Sequence, residues 1–141
     1  MYGCSVVVSS NPYDRTDSLG DAIEIIKELV CKDAEIYFMG NSNGAVLGAR
    51  YAYLYPEIKR MLLINGPLMI NWLQTRSGVE NFPGEEVVFV YGEKDPSYKF
   101  LGLLDLIERP DGCSVVTIEG ADHNFKEREE EFLHLAEKYL F

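Results

Sequence analysis

The chain is poor in the residues that most often carry site chemistry. Of its 141 residues two are histidines and three are cysteines, Cys4, Cys31 and Cys113. The cysteines are scattered, without the spacing of metal ligands, so they are expected as free thiols and no metal centre is expected. Unpaired thiols point to a reducing, cytoplasmic setting. Basic residues are also scarce, 13 Lys and Arg against 23 Asp and Glu, for a formal net charge of −10. That balance disfavours nucleic acid and anionic membrane surfaces as partners. No apolar run approaches the length of a transmembrane helix, and Met1-Tyr2-Gly3-Cys4 lacks the basic start of a signal peptide. Internal repeats and low-complexity segments are absent too. What is present is an ordinary globular composition, 47% hydrophobic and 26% charged, enough for one domain over residues 1–141 with a single core.

Apolar runs alternate with amphipathic ones along the chain. Ser5-Val6-Val7-Val8-Ser9, Ala34 to Met39, Lys59 to Asn65, Glu86 to Tyr91 and Ser114 to Ile118 read as strands. Between them, Ser18 and Asp21 open a helix whose Leu19, Ala22, Ile23, Ile26, Leu29 and Val30 share one face. Ala45 to Tyr55, a stretch near Tyr98 to Ile107, and Lys126 to Phe141 also read as helices. This order predicts an α/β protein, three layers (α/β/α) around a mostly parallel sheet of about five strands. Gly66 to Gly84 is the one long connection. It holds apolar Leu68, Met69, Ile70, Trp72 and Leu73, and reads either as a lid or as a short surface helix packed on the core.

One strand-to-helix junction carries the pentapeptide Gly40-Asn41-Ser42-Asn43-Gly44, a G-x-S-x-G pattern. A serine on so sharp a turn is pushed out of the backbone, and flanking glycines remove Cβ atoms that would collide in the bend. The first amides of the following helix then face whatever Ser42 attacks, which suits a developing oxyanion. A P-loop would need a Lys here and a dinucleotide loop would need G-x-G-x-x-G, so a phosphate-binding reading is weak.

The nucleophile needs a base. His134 lies in the charged last segment, away from most of the stripe formed by Phe132, Leu135, Ala136 and Tyr139, and reads as a solvated residue replaceable by Gln. His123 sits in Glu119-Gly120-Ala121-Asp122-His123-Asn124-Phe125, after a strand and before a helix, where α/β sheets carry functional loops. An acid is available in Gly92-Glu93-Lys94-Asp95-Pro96. Asp95 can orient an imidazole or cap the helix that Pro96 starts, and Glu93 is a fallback nearer the strand end.

Nucleophile, acid and histidine in the order Ser42, Asp95, His123 resemble the α/β-hydrolase family. The resemblance covers about the last three-quarters of the chain and rests on Phe38 to Ala45, Tyr91 to Pro96 and Gly120 to Phe125. It implies Ser42 as nucleophile, His123 as general base and acid, and Asp95 as the orienting carboxylate. The implied activity is cleavage of an ester, thioester or amide of a small-molecule acyl substrate through an acyl-enzyme, with no cofactor. It also places residues 66–84 where the family carries lids, making Met69 and Trp72 candidate substrate contacts. The elbow departs from the common pattern in having asparagine on both sides of the serine. A non-catalytic protein that keeps this fold and binds through its cleft is the alternative.

The resemblance also implies what is missing. The strand that brings a His-Gly oxyanion loop has no counterpart. The oxyanion would rest on the amide of Asn43 and a substitute donor, the amide of Ser10 or Asn11. The same loss leaves sheet surface beside the last helix bare, so either the chain is a piece of something longer or a second subunit covers it; the expectation is a homodimer with Phe132, Tyr139, Leu140 and Phe141 near the contact.

Overall fold

The computed structural model describes Val6, residues 18–109 and residues 111–141. The expected first strand, Ser5 to Ser9, lies outside the described residues apart from Val6, as does Cys4. Among the described residues four strands form one sheet in the order β1 (Ile36–Asn41), β2 (Ile58–Ile64), β3 (Glu86–Gly92), β4 (Cys113–Ile118). Every neighbouring pair is parallel. The expected α/β class with a parallel sheet is therefore the observed one, with four described strands where about five were expected.

The strands follow from their side chains. β2 and β3 are near-continuous apolar runs, as strands buried on both faces must be. Their alternate residues divide between two cores. Met61, Leu63, Val87, Phe89 and Tyr91 face one side of the sheet. There they meet α1 (Ser18–Leu29), α2 (Asn43–Tyr51) and α3 (Trp72–Asn81), with a 3₁₀ stretch at Tyr98–Leu106. Leu62, Ile64, Val88 and Val90 face the other side, under α4 (Glu129–Tyr139) and the loop that carries His123. In register, Leu63 stands beside Phe89 and Ile64 beside Val90, so each layer continues from strand to strand.

Several expectations change in detail. α1 buries Leu19 and Ile23, but Leu29 and Val30 at its end are exposed, so its apolar face is shorter than the periodicity predicts. Cys31, just beyond, is an exposed free thiol. The helix expected near Tyr98 to Ile107 is wound as 3₁₀ throughout, and the elbow helix ends its α-helical part at Tyr51, with one 3₁₀ turn to Leu54. α4 opens with Glu129, Glu130 and Glu131, three carboxylates at the positive end of its dipole. Leu140 is buried, and Phe132 and Tyr139 lean on the same core, so these three fill the chain's own interior; Phe141 lies half exposed against the Tyr37 ring. Among the described residues no helix is long and apolar enough to cross a membrane.

The Gly66 to Gly84 connection holds α3, which is packed on the core through Thr75, Gly78 and Val79. Gly78 is the closest point. A Cβ there would lie 2.2 Å from the Ala49 carbonyl oxygen and 2.7 Å from that of Arg50, both backbone atoms of α2. The two helices touch because this residue has no side chain. Gly78→Ala must push them apart, and overpacking of this kind costs about 1–3 kcal/mol. The expected outcome is a lower urea midpoint with an unchanged slope, read by circular dichroism.

Candidate active site

The C-terminal ends of β1, β3 and β4 deliver the three expected side chains to one place. Ser42 follows β1 directly with φ 56° and ψ −117°, a conformation that L-residues rarely adopt. The turn is held by the Ser42 N–H, which donates to the Ile64 carbonyl at 2.8 Å, and by the first α2 amides, Ala45 donating to the Ser42 carbonyl at 3.1 Å. A Cβ at Gly40 would lie 2.5 Å from the Gly44 carbonyl oxygen and 2.8 Å from the Ala45 nitrogen. Only glycine lets strand and helix close on each other there. Gly44 is different, since a Cβ at that position meets nothing within 4 Å among the described residues. The expected crowding thus falls on one glycine of the pair.

Asp95 is reached by a tight turn after β3, in which its N–H donates to the Gly92 carbonyl at 3.0 Å. Its side chain is almost wholly buried and divides its two oxygens. Oδ1 accepts the Ser97 N–H at 2.8 Å, and Oδ2 accepts the His123 Nδ1–H at 2.5 Å. The expected helix cap is replaced by a turn bond: the 3₁₀ stretch starts at Tyr98 with Ser97 at its cap position, and the Asp95 Oδ1 contact reaches the Ser97 N–H two residues on. Glu93 points elsewhere, accepting the Gly120 N–H at 3.2 Å.

His123 completes a line. With Nδ1 facing a carboxylate, the network assigns the proton to that nitrogen and leaves Nε2 bare. Nε2 lies 2.9 Å from Ser42 Oγ and can accept its proton. The loop that holds the ring is braced from both ends. The Phe125 ring is buried against Phe132 at 5.4 Å in an edge-on contact. The Asp122 carboxylate accepts the N–H groups of Asn124 at 3.1 Å and Lys126 at 2.9 Å. Those contacts, the Lys126 N–H first, hold the Asp122 carboxyl below its ordinary range. A carboxylate with a depressed pKa supports the fold above its ordinary value and loses that support as pH falls through the depressed one, so this brace weakens only in acid.

Two further side chains line the same end of the sheet. The Tyr91 hydroxyl donates to the Gly66 carbonyl at 2.6 Å; burial, then the Asp95 charge, raises its pKa far above the ordinary phenol range, so it stays neutral. Asn65, read from the sequence only as the last residue of a strand, is fully buried and hydrogen-bonded to the backbone of both neighbouring loops. A polar residue closing an apolar run followed by Gly-Pro is the one signal that could have marked it.

The other expected site residues fall as follows. Asn43 is the first residue of α2, where helix amides have no partner one turn back. Ser10 and Asn11 lie outside the described residues. Trp72 is partly buried against the core that α3 covers, whereas Met69 is exposed. His134 is exposed on α4, on a different element from the site. His134→Gln is expected to leave any Ser42-dependent turnover within about twofold of wild type, an ordinary result for an exposed substitution, checked by steady-state kinetics.

No protein-family model matches the sequence, and no curated protein matches it significantly. Solved structures do match. The esterase domain of a Rhodothermus marinus protein superposes with a TM-score of 0.72 at 12% identity, covering 94% of this chain and 72% of that one. An alpha-beta serine hydrolase homologue from Coxiella burnetii gives 0.71 at 19% identity, covering 94% and 63%. A dienelactone hydrolase from Anabaena variabilis gives 0.71 at 16% identity, covering 88% and 57%. The chain has the α/β-hydrolase fold, over a span of 57–72% of these proteins' lengths.

Proposed function

We propose that this chain is a serine hydrolase that cleaves an ester, thioester or amide of a small acyl substrate through an acyl-enzyme on Ser42. The observation that carries the reading is the unbroken relay from Ser42 Oγ through both nitrogens of His123 to Asp95 Oδ2, at 2.9 and 2.5 Å. The fold shared with an esterase domain and a dienelactone hydrolase supports the same reaction class.

In this mechanism Ser42 Oγ attacks the substrate carbonyl carbon while its proton passes to His123 Nε2. Asp95 stabilises the imidazolium that forms and keeps the ring aimed at Ser42. The carbonyl oxygen becomes an oxyanion beside the Asn43 amide at the positive end of α2. The carbonyl reforms as the bond to the leaving group breaks, and His123 gives that group its proton. Water then repeats the sequence, with His123 taking a proton from it, and the acid product departs as Ser42 recovers its own. The Ser10 or Asn11 amide is proposed as the second oxyanion donor, and Met69 with Trp72 as the edge that meets the acyl group.

The test is hydrolysis of short p-nitrophenyl esters by the purified chain across pH. Expected is slow turnover that varies little from acetate to butyrate and falls on acidification, because a protonated imidazole cannot accept the Ser42 proton. Absence of turnover on every activated ester and thioester tried would instead favour a binding protein of this fold.

A further inference from the structure

We infer that Asn65 is a positioning residue for the reaction proposed above, a buried side chain that sets the Asp95 turn and the His123 loop relative to each other. The inference rests on that reading for its catalytic consequence, but its geometric content stands on the contacts of Asn65 alone. Its side-chain oxygen Oδ1 accepts the Gly92 N–H at 2.9 Å. Its Nδ2 donates to the Asp122 carbonyl at 3.3 Å and to the His123 carbonyl at 3.0 Å. Its own N–H donates to the Val90 carbonyl at 2.9 Å. All polar atoms of a fully buried amide are thus engaged, with the end of β3 on one side and the histidine loop on the other.

Gly92 is the residue whose carbonyl holds the Asp95 amide, so the Oδ1 contact anchors the acid turn. The His123 carbonyl belongs to the base itself. On the nucleophile side, Asn65 follows Ile64, whose carbonyl receives the Ser42 N–H at 2.8 Å. Asn65 therefore bridges the acid and base carriers and stands next to the residue that anchors the nucleophile turn. Close approach is also required: a Cβ on Gly92 would lie 2.4 Å from the Ala121 carbonyl oxygen, so the histidine loop passes directly over the end of β3. Asn65 itself sits at φ 50°, where asparagine is one of the few residues with a side chain that fits readily. A residue of this position must tolerate that backbone and offer an acceptor to one loop and two N–H donors to the other. Asparagine meets both demands. Aspartate meets only the first, since it would turn an oxygen towards the two carbonyls.

The test is Asn65→Asp beside Asn65→Gly, which keeps the backbone conformation and removes the side chain. The expected result is a kcat lower by about 10²-fold with KM within about threefold, the effect of moving a reacting group by about 1 Å. The second readout is the ¹⁵N spectrum of the histidine rings, of which the chain has two. In the wild type His123 should hold its proton on Nδ1, and in both variants the ring should shift towards the Nε2–H form as Asp95 Oδ2 falls out of line. A general loss of stability would not change the tautomer of the folded molecules, so assays run well below each variant's unfolding temperature separate the two effects. Should neither variant fold, slow exchange of the Asn65 Nδ2 protons and their through-bond coupling to the His123 carbonyl in the wild type decide the matter. Unchanged kcat with an unchanged ring tautomer, or a freely exchanging Asn65 amide, overturns the inference. If the wild type neither turns over nor reacts at Ser42, the hydrolase reading fails, and the ring tautomer still shows whether Asn65 sets His123.

Discussion

Ser42→Ala is expected to remove esterase turnover almost completely, by about 10⁴-fold or more in kcat/KM, while the fold persists. The loss is this large because the acyl-enzyme has no other place to form. Residues that act as one unit also lose nearly everything with the first member removed. The substitution is small: the side chain loses one oxygen whose hydrogen bond runs to a half-exposed ring, and φ at this position stays 56° as the price of the turn. Circular dichroism and the urea midpoint should therefore stay close to wild type. Release of p-nitrophenol, followed over hours at high protein concentration, gives the number. Turnover that survives the substitution would belong to another group.

Asp95→Asn should have the next largest effect, about 10³- to 10⁴-fold in kcat, through the tautomer of His123. The new amide must give its oxygen to the Ser97 N–H, because its NH₂ there would face another donor. The NH₂ is then turned to His123 Nδ1 and donates where Oδ2 accepted. The ring responds by carrying its proton on Nε2, facing Ser42 Oγ, and can no longer receive the serine proton. Volume and burial hardly change, so the protein should fold, with the lost charge removing one carboxylate from an almost wholly buried position. Steady-state kinetics with the ring ¹⁵N shifts checks both halves. A variant with near-normal kcat would mean that Asp95 serves only to hold the turn through the Ser97 N–H.

How much of this was legible beforehand depends on whether the signal is local. The two central strands are readable because burial on both faces demands apolar runs, and Glu86 to Gly92 or Ile58 to Ile64 can be little else. The elbow at Ser42 is readable because its backbone conformation selects glycine at Gly40 within four residues of sequence. His123 and Asp95 could be picked out because each closes a strand and competing residues were few. Asn65 was not legible, since its role exists only where three loops from distant parts of the chain meet. α3 was ambiguous for a related reason. Its residues from Trp72 to Asn81 form a weak stripe, and the feature that docks it, a bare Cα at Gly78 against the α2 backbone, looks in sequence like a helix breaker. The 3₁₀ winding of Tyr98–Leu106 has no signature in a run of Leu and Phe that suits an α-helix equally well. The second oxyanion donor rests on Ser10 and Asn11, outside the described residues.

The central claim is that Ser42 is a nucleophile activated by His123, and covalent capture by a fluorophosphonate tests it most directly. Such a probe reacts with an activated serine and passes over ordinary hydroxyls, so it needs no knowledge of the natural substrate. Intact mass followed by peptide mapping should show one adduct per chain, on Ser42, formed more slowly at acid pH and absent from Ser42→Ala and from the chain with its His123 replaced by Ala. A wild-type chain that remains unlabelled at neutral pH, or that carries its adduct on another residue, would contradict the account.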